Sequence, residues 1–343
     1  MIEATWELII IIIGIALVFD FTNGFHDSAN SISTVVSTKA LSPRNAVIFA
    51  AFFNFIAAFG FGVAVASTIA KIIQLEIVPA NIIPYIVLGA LSGAIAWNLI
   101  TWFFGLPTSS SHALIGGMVG SGIAAAGLAA IKWSTVELVI TFMILSPIIG
   151  LACGFMFMAA VLWTTRKTNK QTAERSFKNL QLVSAAAKCF SHGTNDAQKT
   201  IGVIIPLLFA IGYFGVAADP NNLPVPFWVI ILAYLAIALG TLAGGWRIVK
   251  TMGYNIIKMR PVHGFAANAA SASTIIGASI AGIPVSTTHI ICTSIMGVGT
   301  TMGSNAVKWG VARTIMWAWI LTIPISAAIG FVAFAIIRVV IGY

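Results

Sequence analysis

The chain has 343 residues, of which 59% are hydrophobic and 8% charged, with a mean hydropathy of +1.00. Soluble domains carry about 25% charged residues, so this composition excludes a water-soluble enzyme, a nucleic-acid reader and a disordered scaffold. The formal net charge of +9 is explained below by topology and calls for no nucleic acid or other acidic partner. The longest polar stretch, Arg166 to Lys178, is too short for an aqueous domain, which places the function within a lipid bilayer. Cys153, Cys189 and Cys292 lie singly in apolar runs, a spacing that fits neither a disulfide framework nor a metal site.

A membrane span needs about 20 apolar residues. In chain order the candidates run over 5–38, 45–70, 82–104, 106–128, 136–164, 179–216, 226–246, 264–282, 285–304 and 313–338, ten crossings in an all-α, multi-pass architecture. The first begins with Glu3 and Glu7 instead of a basic region, so it reads as a retained helix and not a cleaved signal. The first and sixth spans are long and interrupted by polar clusters, which predicts broken helices. The fourth and ninth fit crossings or re-entrant hairpins equally well. With the N-terminus outside, thirteen of the 18 Lys and Arg residues fall on the cytoplasmic side and three, Lys71, Lys132 and Arg338, on the other. Lys188 and Lys199 remain inside the membrane. That bias predicts N-out and C-out by the positive-inside rule.

Two motifs recur about half a chain apart. Residues 24–27 read GFHD and 193–196 read GTND, while 105–112 read GLPTSSSH and 282–289 read GIPVSTTH. A half with five crossings is odd in number, so the second copy is expected to be inverted. The expected organisation is a first repeat over 1–165, a cytoplasmic connector over 166–178 and an inverted second repeat over 179–343. Inverted repeats of this kind place a binding site where the halves meet.

The acidic residues inside the spans are Asp20, Asp27 and Asp196, and each costs at least about 2.5 kcal/mol at the bilayer centre. Asp27 stands among Asn23, His26 and Asn30, and Asp196 among His192, Asn195, Gln198 and Lys199. Carboxylates and amides are oxygen ligands for Na⁺ or a proton, and Gly24 and Gly193 are expected to let each helix open and expose backbone carbonyls. Asp20 has no counterpart in the second half and reads as structural. Thr108, Ser109, Ser110 and Ser111 follow Pro107, and Ser286, Thr287 and Thr288 follow Pro284 and Val285. Proline followed by hydroxyl residues starts a helix whose free first-turn amides favour an anion, so these seven residues are the expected cradle for a tetrahedral oxyanion. His112 and His289 read either as proton carriers or as packing residues, and Gln198 as a further possible ligand. A Ser-His-Asp hydrolase is disfavoured because hydrolysis needs one triad and not two copies.

Two aspartates beside an anion, with no arginine in any span except at the two ends of the last (Arg313 and Arg338), imply that cations enter with it. That is symport, with a permease for sulfate or another oxyanion and a channel as the competing readings.

The strings GFHDSANS, FGLPTSSSH and FSHGTNDAQK closely resemble the signature segments of the inorganic phosphate transporter (Pit) family, over essentially the whole chain. The resemblance implies a secondary symporter of inorganic phosphate, with the paired aspartates on Asp27 and Asp196 and the hydroxyl-rich segments on Ser109 to Ser111 and Ser286 to Thr288. It also implies a homodimer in the lipid bilayer of the cell (inner or cytoplasmic) membrane, coupled to H⁺ or Na⁺, with no resident cofactor or metal, and with neutral complexes of phosphate and Mg²⁺ or another divalent metal as a further cargo. Only the short connector stands where many members carry a large cytoplasmic loop. Aligning Asp27 with Asp196 sets Lys199 opposite Asn30. A fixed ammonium there takes the place of a bound cation, so proton coupling is expected, with Na⁺ as the alternative.

Overall fold

In a computed structural model the chain is described over residues 5–60, 62–215 and 218–342; Glu3 and the last residue of the sixth expected span lie outside them. Twelve α-helices form among the described residues: α1 (Trp6–Ser37), α2 (Pro43–Ile56), α3 (Ala64–Ala70), α4 (Ile83–Phe103), α5 (Ser110–Ala126), α6 (Trp133–Thr165), α7 (Lys170–Ala210), α8 (Phe227–Ala243), α9 (Trp246–Tyr254), α10 (Pro261–Ile280), α11 (Thr287–Thr300) and α12 (Trp309–Ile341). The protein is thus all-helical, as expected. Four helices, α1, α4, α6 and α12, are long and apolar enough to cross a membrane, or up to six spans if the bent pairs α2–α3 and α8–α9 each count as one. The other expected crossings are present as helices. Those of α7 and α10 are lowered in hydropathy by buried polar residues such as Asp196 and Asn268. With 17 and 14 residues, α5 and α11 reach only about 26 and 21 Å, short of the roughly 30 Å hydrocarbon core.

The sequence places the broken helices wrongly. α1 runs unbroken through Asn23–Asn30 and α7 through His192–Lys199. The breaks fall instead between α2 and α3, bent by 83°, and between α8 and α9, bent by 73°. The polar side chains of α1 and α7 find partners on other helices, so their backbone carbonyls stay in the helical ladder. Gly24 and Gly193 serve close packing and not opening: a Cβ on Gly24 would strike the carbonyl of Ile237, and one on Gly193 would meet that of Asn54 at 2.6 Å. The expected connector is a turn only over 166–169, because Asn169 caps α7 and residues 170–178 are already helical.

The halves repeat one another in detail. Each runs helix, bent pair, helix, short helix, long helix with an internal proline, Pro147 in α6 and Pro324 in α12. Gly105 and Gly282 turn the chain with φ of 66° and 68°, conformations that favour glycine. Their carbonyls accept from Thr251 at 2.9 Å and from Thr68 at 2.7 Å. Ahead of the long helices, the amide of Lys132 donates to Ile72 at 2.9 Å and that of Lys308 to Ile256 at 3.0 Å. Trp133 and Trp309 then fold their indole N–H onto the carbonyls of Leu128 and Ser304.

Packing crosses between halves. α5 lies on α12, and α11 on α6; α1 packs on α8 and α9, while α7 packs on α2 and α3. α1 and α7 meet centrally, and the outer faces of α6, α8 and α12 carry exposed apolar side chains such as Ile144, Leu239 and Ile336. Those faces suit a hydrocarbon solvent.

Candidate functional site

The middle of α1 and α7 brings four segments together. Asp27 of α1 is bonded by His26 Nδ1 at 2.7 Å and by two hydroxyls from different halves, Ser110 Oγ of α5 and Thr288 Oγ1 of α11, each 3.4 Å from Oδ2. Asp196 of α7 is bonded by Lys199 Nζ at 2.5 Å and Thr287 Oγ1 at 3.2 Å, with His192 Nε2 lying 3.3 Å away but outside hydrogen-bonding geometry. His192 Nε2 also stands 4.0 Å from Asp27 Oδ2, so one imidazole lies between the carboxylates. Asp27, His192 and Asp196 each offer a ligand atom within 4.8 Å of the others, a cation-sized grouping. All of these side chains are buried.

The short helices arrive here by their N-termini. Pro107 and Pro284 lie in the approach to each, and Ser109 and Ser286 then cap, accepting the amides of His112 at 3.3 Å and His289 at 3.1 Å. The amides of residues 110, 111, 287 and 288 belong to first turns, which lack intrahelical acceptors, and the helix dipoles add positive potential. The arrangement joins two carboxylates, one ammonium, two imidazoles and two positive helix ends in a dry interior. It suits an anion only in company with cations, because like charges in low dielectric repel strongly.

The expected site residues divide accordingly. Asp27, Asp196, Lys199, Ser110, Thr287, Thr288 and Asn30 converge, with Asn30 Nδ2 donating to Thr288 at 2.8 Å. Asn23 Oδ1 accepts Ser110 Oγ at 2.6 Å, which ties it to the cradle and not to a free ion. Asn195 Nδ2 holds the carbonyl of Val285 at 3.1 Å, shared with Ser111 at 3.5 Å, while Asn195 Oδ1 is left without a partner. Thr108 faces away from the cradle, donating to Thr101 at 2.9 Å beside His26 Nε2. Ser109 and Ser286 spend their hydroxyls on capping.

Gln198 is no ligand. Its Oε1 accepts the amides of Val65 and Ala66 at 2.9 and 3.2 Å, and its Nε2 donates to the carbonyls of Gly62 and Thr194. A residue on α7 thus caps the start of α3, whose own N-cap Val63 offers no side-chain oxygen. His112 and His289 pack edge to face at 4.9 Å, and His289 stacks on Trp319 at 3.9 Å. His289 lines an apolar cleft of about 510 Å³ between α6, α11 and α12, and the ring contacts of both histidines suit packing.

Sequence reasoning missed the structural part of His26 and His192, together with Thr101 and Asn54. His26 Nε2 meets Thr101 Oγ1 at 3.1 Å, and His192 Nδ1 meets Asn54 Oδ1 at 3.3 Å. The available signal was a lone polar residue in an apolar run, as Asn54 is in AFFNFIAAF.

The chain is similar to known proteins over nearly its whole length. The model of the family described as "Phosphate transporter family" matches residues 23–330. A protein of Rhizobium meliloti (strain 1021), named a probable low-affinity inorganic phosphate transporter, is 47% identical over 94% of this chain and 95% of its own. One of Bacillus subtilis (strain 168) with the same name is 44% identical over 97% and 98%. A solved structure titled "The sodium-dependent phosphate transporter" superposes with a TM-score of 0.87 at 26% identity, covering 97% of this chain and 99% of that one.

Proposed function

The chain belongs to the phosphate transporter family, and from that premise we propose that it imports inorganic phosphate by proton symport, through alternating access of two inverted halves. The observation that carries this reading is the meeting of Asp27, Asp196 and the hydroxyl-bearing starts of α5 and α11 at one buried place. Phosphate is received by the first-turn amides and by Ser110, Thr287 and Thr288, whose hydroxyls turn from the aspartates to the anion. Those hydrogen bonds are available only between the halves, so closure around the ion and opening to either side follow from rocking one half on the other.

Proton coupling is supported by Lys199. Its ammonium already neutralises Asp196 at 2.5 Å, in the place where a Na⁺ would otherwise sit. The Na⁺ reading is favoured by Asp27, which has no ammonium beside it and whose neighbour Asn30 is neutral. A neutral metal phosphate is a cargo the trio Asp27, His192 and Asp196 suits by its donor set.

Accumulation of labelled phosphate by purified protein in proteoliposomes, with pH gradient, Na⁺ and Mg²⁺ varied separately, tests this. Uptake driven by a pH gradient without sodium is expected, and excess sulfate is expected to leave it intact. No uptake under those conditions, restored by Na⁺, would assign the coupling to sodium. Uptake that follows the potential and never accumulates would make the protein a channel.

A further inference from the structure

Asp20 is fully buried on α1, and neither of its carboxylate oxygens has a hydrogen-bonding partner. It lies about two helical turns before Asp27, so Asp20, Asn23 and Asp27 share one face of the helix. The groups that face it are Asn23 from α1, Thr200, Asp196 and Lys199 from α7, and Tyr234 from α8. Thr200 Oγ1 and Asn23 Nδ2 are likewise buried without partners. The nearby ammonium, Lys199, is engaged with Asp196.

The three intramembrane carboxylates therefore differ in kind. Asp27 and Asp196 are each held by hydrogen-bonding side chains, His26, Ser110 and Thr288 on the first and Lys199 and Thr287 on the second. Asp20 has no such contact: neither of its carboxylate oxygens is hydrogen-bonded, and the Lys199 ammonium is bound to Asp196. We propose, resting on the proton-symport reading above, that Asp20 is the residue that carries the coupling proton. The proton binds to a carboxylate oxygen from one aqueous phase; the O–H bond later breaks toward the other phase, leaving its electron pair on the oxygen, and the carboxylate is regenerated.

Two links join this acid to phosphate. The first is charge: an anion beside Asp27 favours the neutral form of Asp20, and by linkage the neutral acid favours the anion. The second is Asn23, whose Oδ1 already holds Ser110 at 2.6 Å while its free Nδ2 lies toward Asp20. An ionised Asp20 draws that amide N–H and shifts the acceptor of Ser110; a protonated one releases it.

The test uses wild type, Asp20→Asn and Asp20→Glu in proteoliposomes. Two assays are compared: phosphate counterflow, which needs no net proton movement, and accumulation driven by a pH gradient. Asp20→Asn is expected to lose accumulation relative to counterflow, and Asp20→Glu to retain accumulation with a shifted pH profile. Infrared difference spectra on adding phosphate are expected to show a protonated-carboxyl band in wild type that Asp20→Asn lacks. Accumulation by Asp20→Asn at the wild-type ratio, or persistence of the band in it, overturns the assignment. Should Asp20→Asn fail to fold, an unshifted pH profile in Asp20→Glu overturns it equally. A wild type that responds to Na⁺ and not to pH defeats the proton-symport reading itself, an outcome distinct from a proton-driven wild type whose Asp20 variants behave normally.

Discussion

The two aspartate centres rest on the same backbone frame and carry different chemistry. Asp27 takes His26 from the preceding position and keeps Asn23 one turn back; Asp196 takes His192 one turn back and has Asn195 in the preceding position. The histidine and the amide have traded places. One turn onward, Asn30 is neutral where Lys199 is charged. The glycine turns, the serine caps and the tryptophan-to-carbonyl bonds are nevertheless duplicated to within a few tenths of an ångström. Backbone geometry sets where a site can be, and the few side chains facing it decide which ion each half favours.

The largest effects should come from removing the carboxylates. Asp27→Asn and Asp196→Asn are each expected to abolish coupled accumulation, measured as uptake in proteoliposomes. Their stabilities should part, because Asp196→Asn strands the buried Lys199 ammonium, a loss of about 3–5 kcal/mol for a buried pair broken on one side. Asp27→Asn leaves only His26, which can be neutral, so thermal melting in detergent should fall less. Equal losses in the two variants would erase the distinction between the centres.

Lys199→Asn makes the second centre resemble the first, and uptake should then gain a dependence on Na⁺ when Na⁺ is exchanged for choline. Smaller effects are expected from single hydroxyls. Thr287→Val and Thr288→Val each remove one hydroxyl that, on the reading above, turns from a carboxylate to the phosphate, and a hydrogen bond to a charged group is worth about 1.5–3 kcal/mol. The phosphate KM should rise about tenfold or more in each, and to a similar degree if the cradle is shared between halves. The smallest effect on transport should come from the two helix breaks. Gln198 holds the start of α3 through the amides of Val65 and Ala66 and the carbonyl of Gly62 just ahead of it, whereas Ser28 Oγ holds the start of α9 through the single amide of Gly245 at 2.5 Å. Gln198→Leu should therefore lower the melting temperature more than Ser28→Ala, with KM near wild type in both.

Much of this was legible in the sequence. The helices lie where hydropathy and capping residues put them, and the repeated GFHD/GTND and Pro-hydroxyl motifs do meet. The breaks were not legible. A polar cluster and a bent helix lower a hydropathy average alike, and only partners on other helices, such as Thr288 for Asn30 and Ser110 for Asn23, allow α1 to stay straight. Gln198 was misread for the same reason: its neighbours in sequence belong to the site, while its hydrogen bonds go to a segment more than a hundred residues away. The histidines escaped because lone imidazoles have no periodic signature, and their partners Thr101 and Asn54 are distant in the chain.

The crossed packing of α5 on α12 and α6 on α11 also bears on how the protein is made. Gly120 lies so close to Ala327 that no side chain fits between them, and Gly297 sits in the same way against Leu151. An early segment thus waits for one made about two hundred residues later before its groove is filled. Until then its small-residue face has only lipid for company, and the nascent chain cannot lock before α12 has been made. Severing the gene between the halves should yield two fragments that are stable only when produced together.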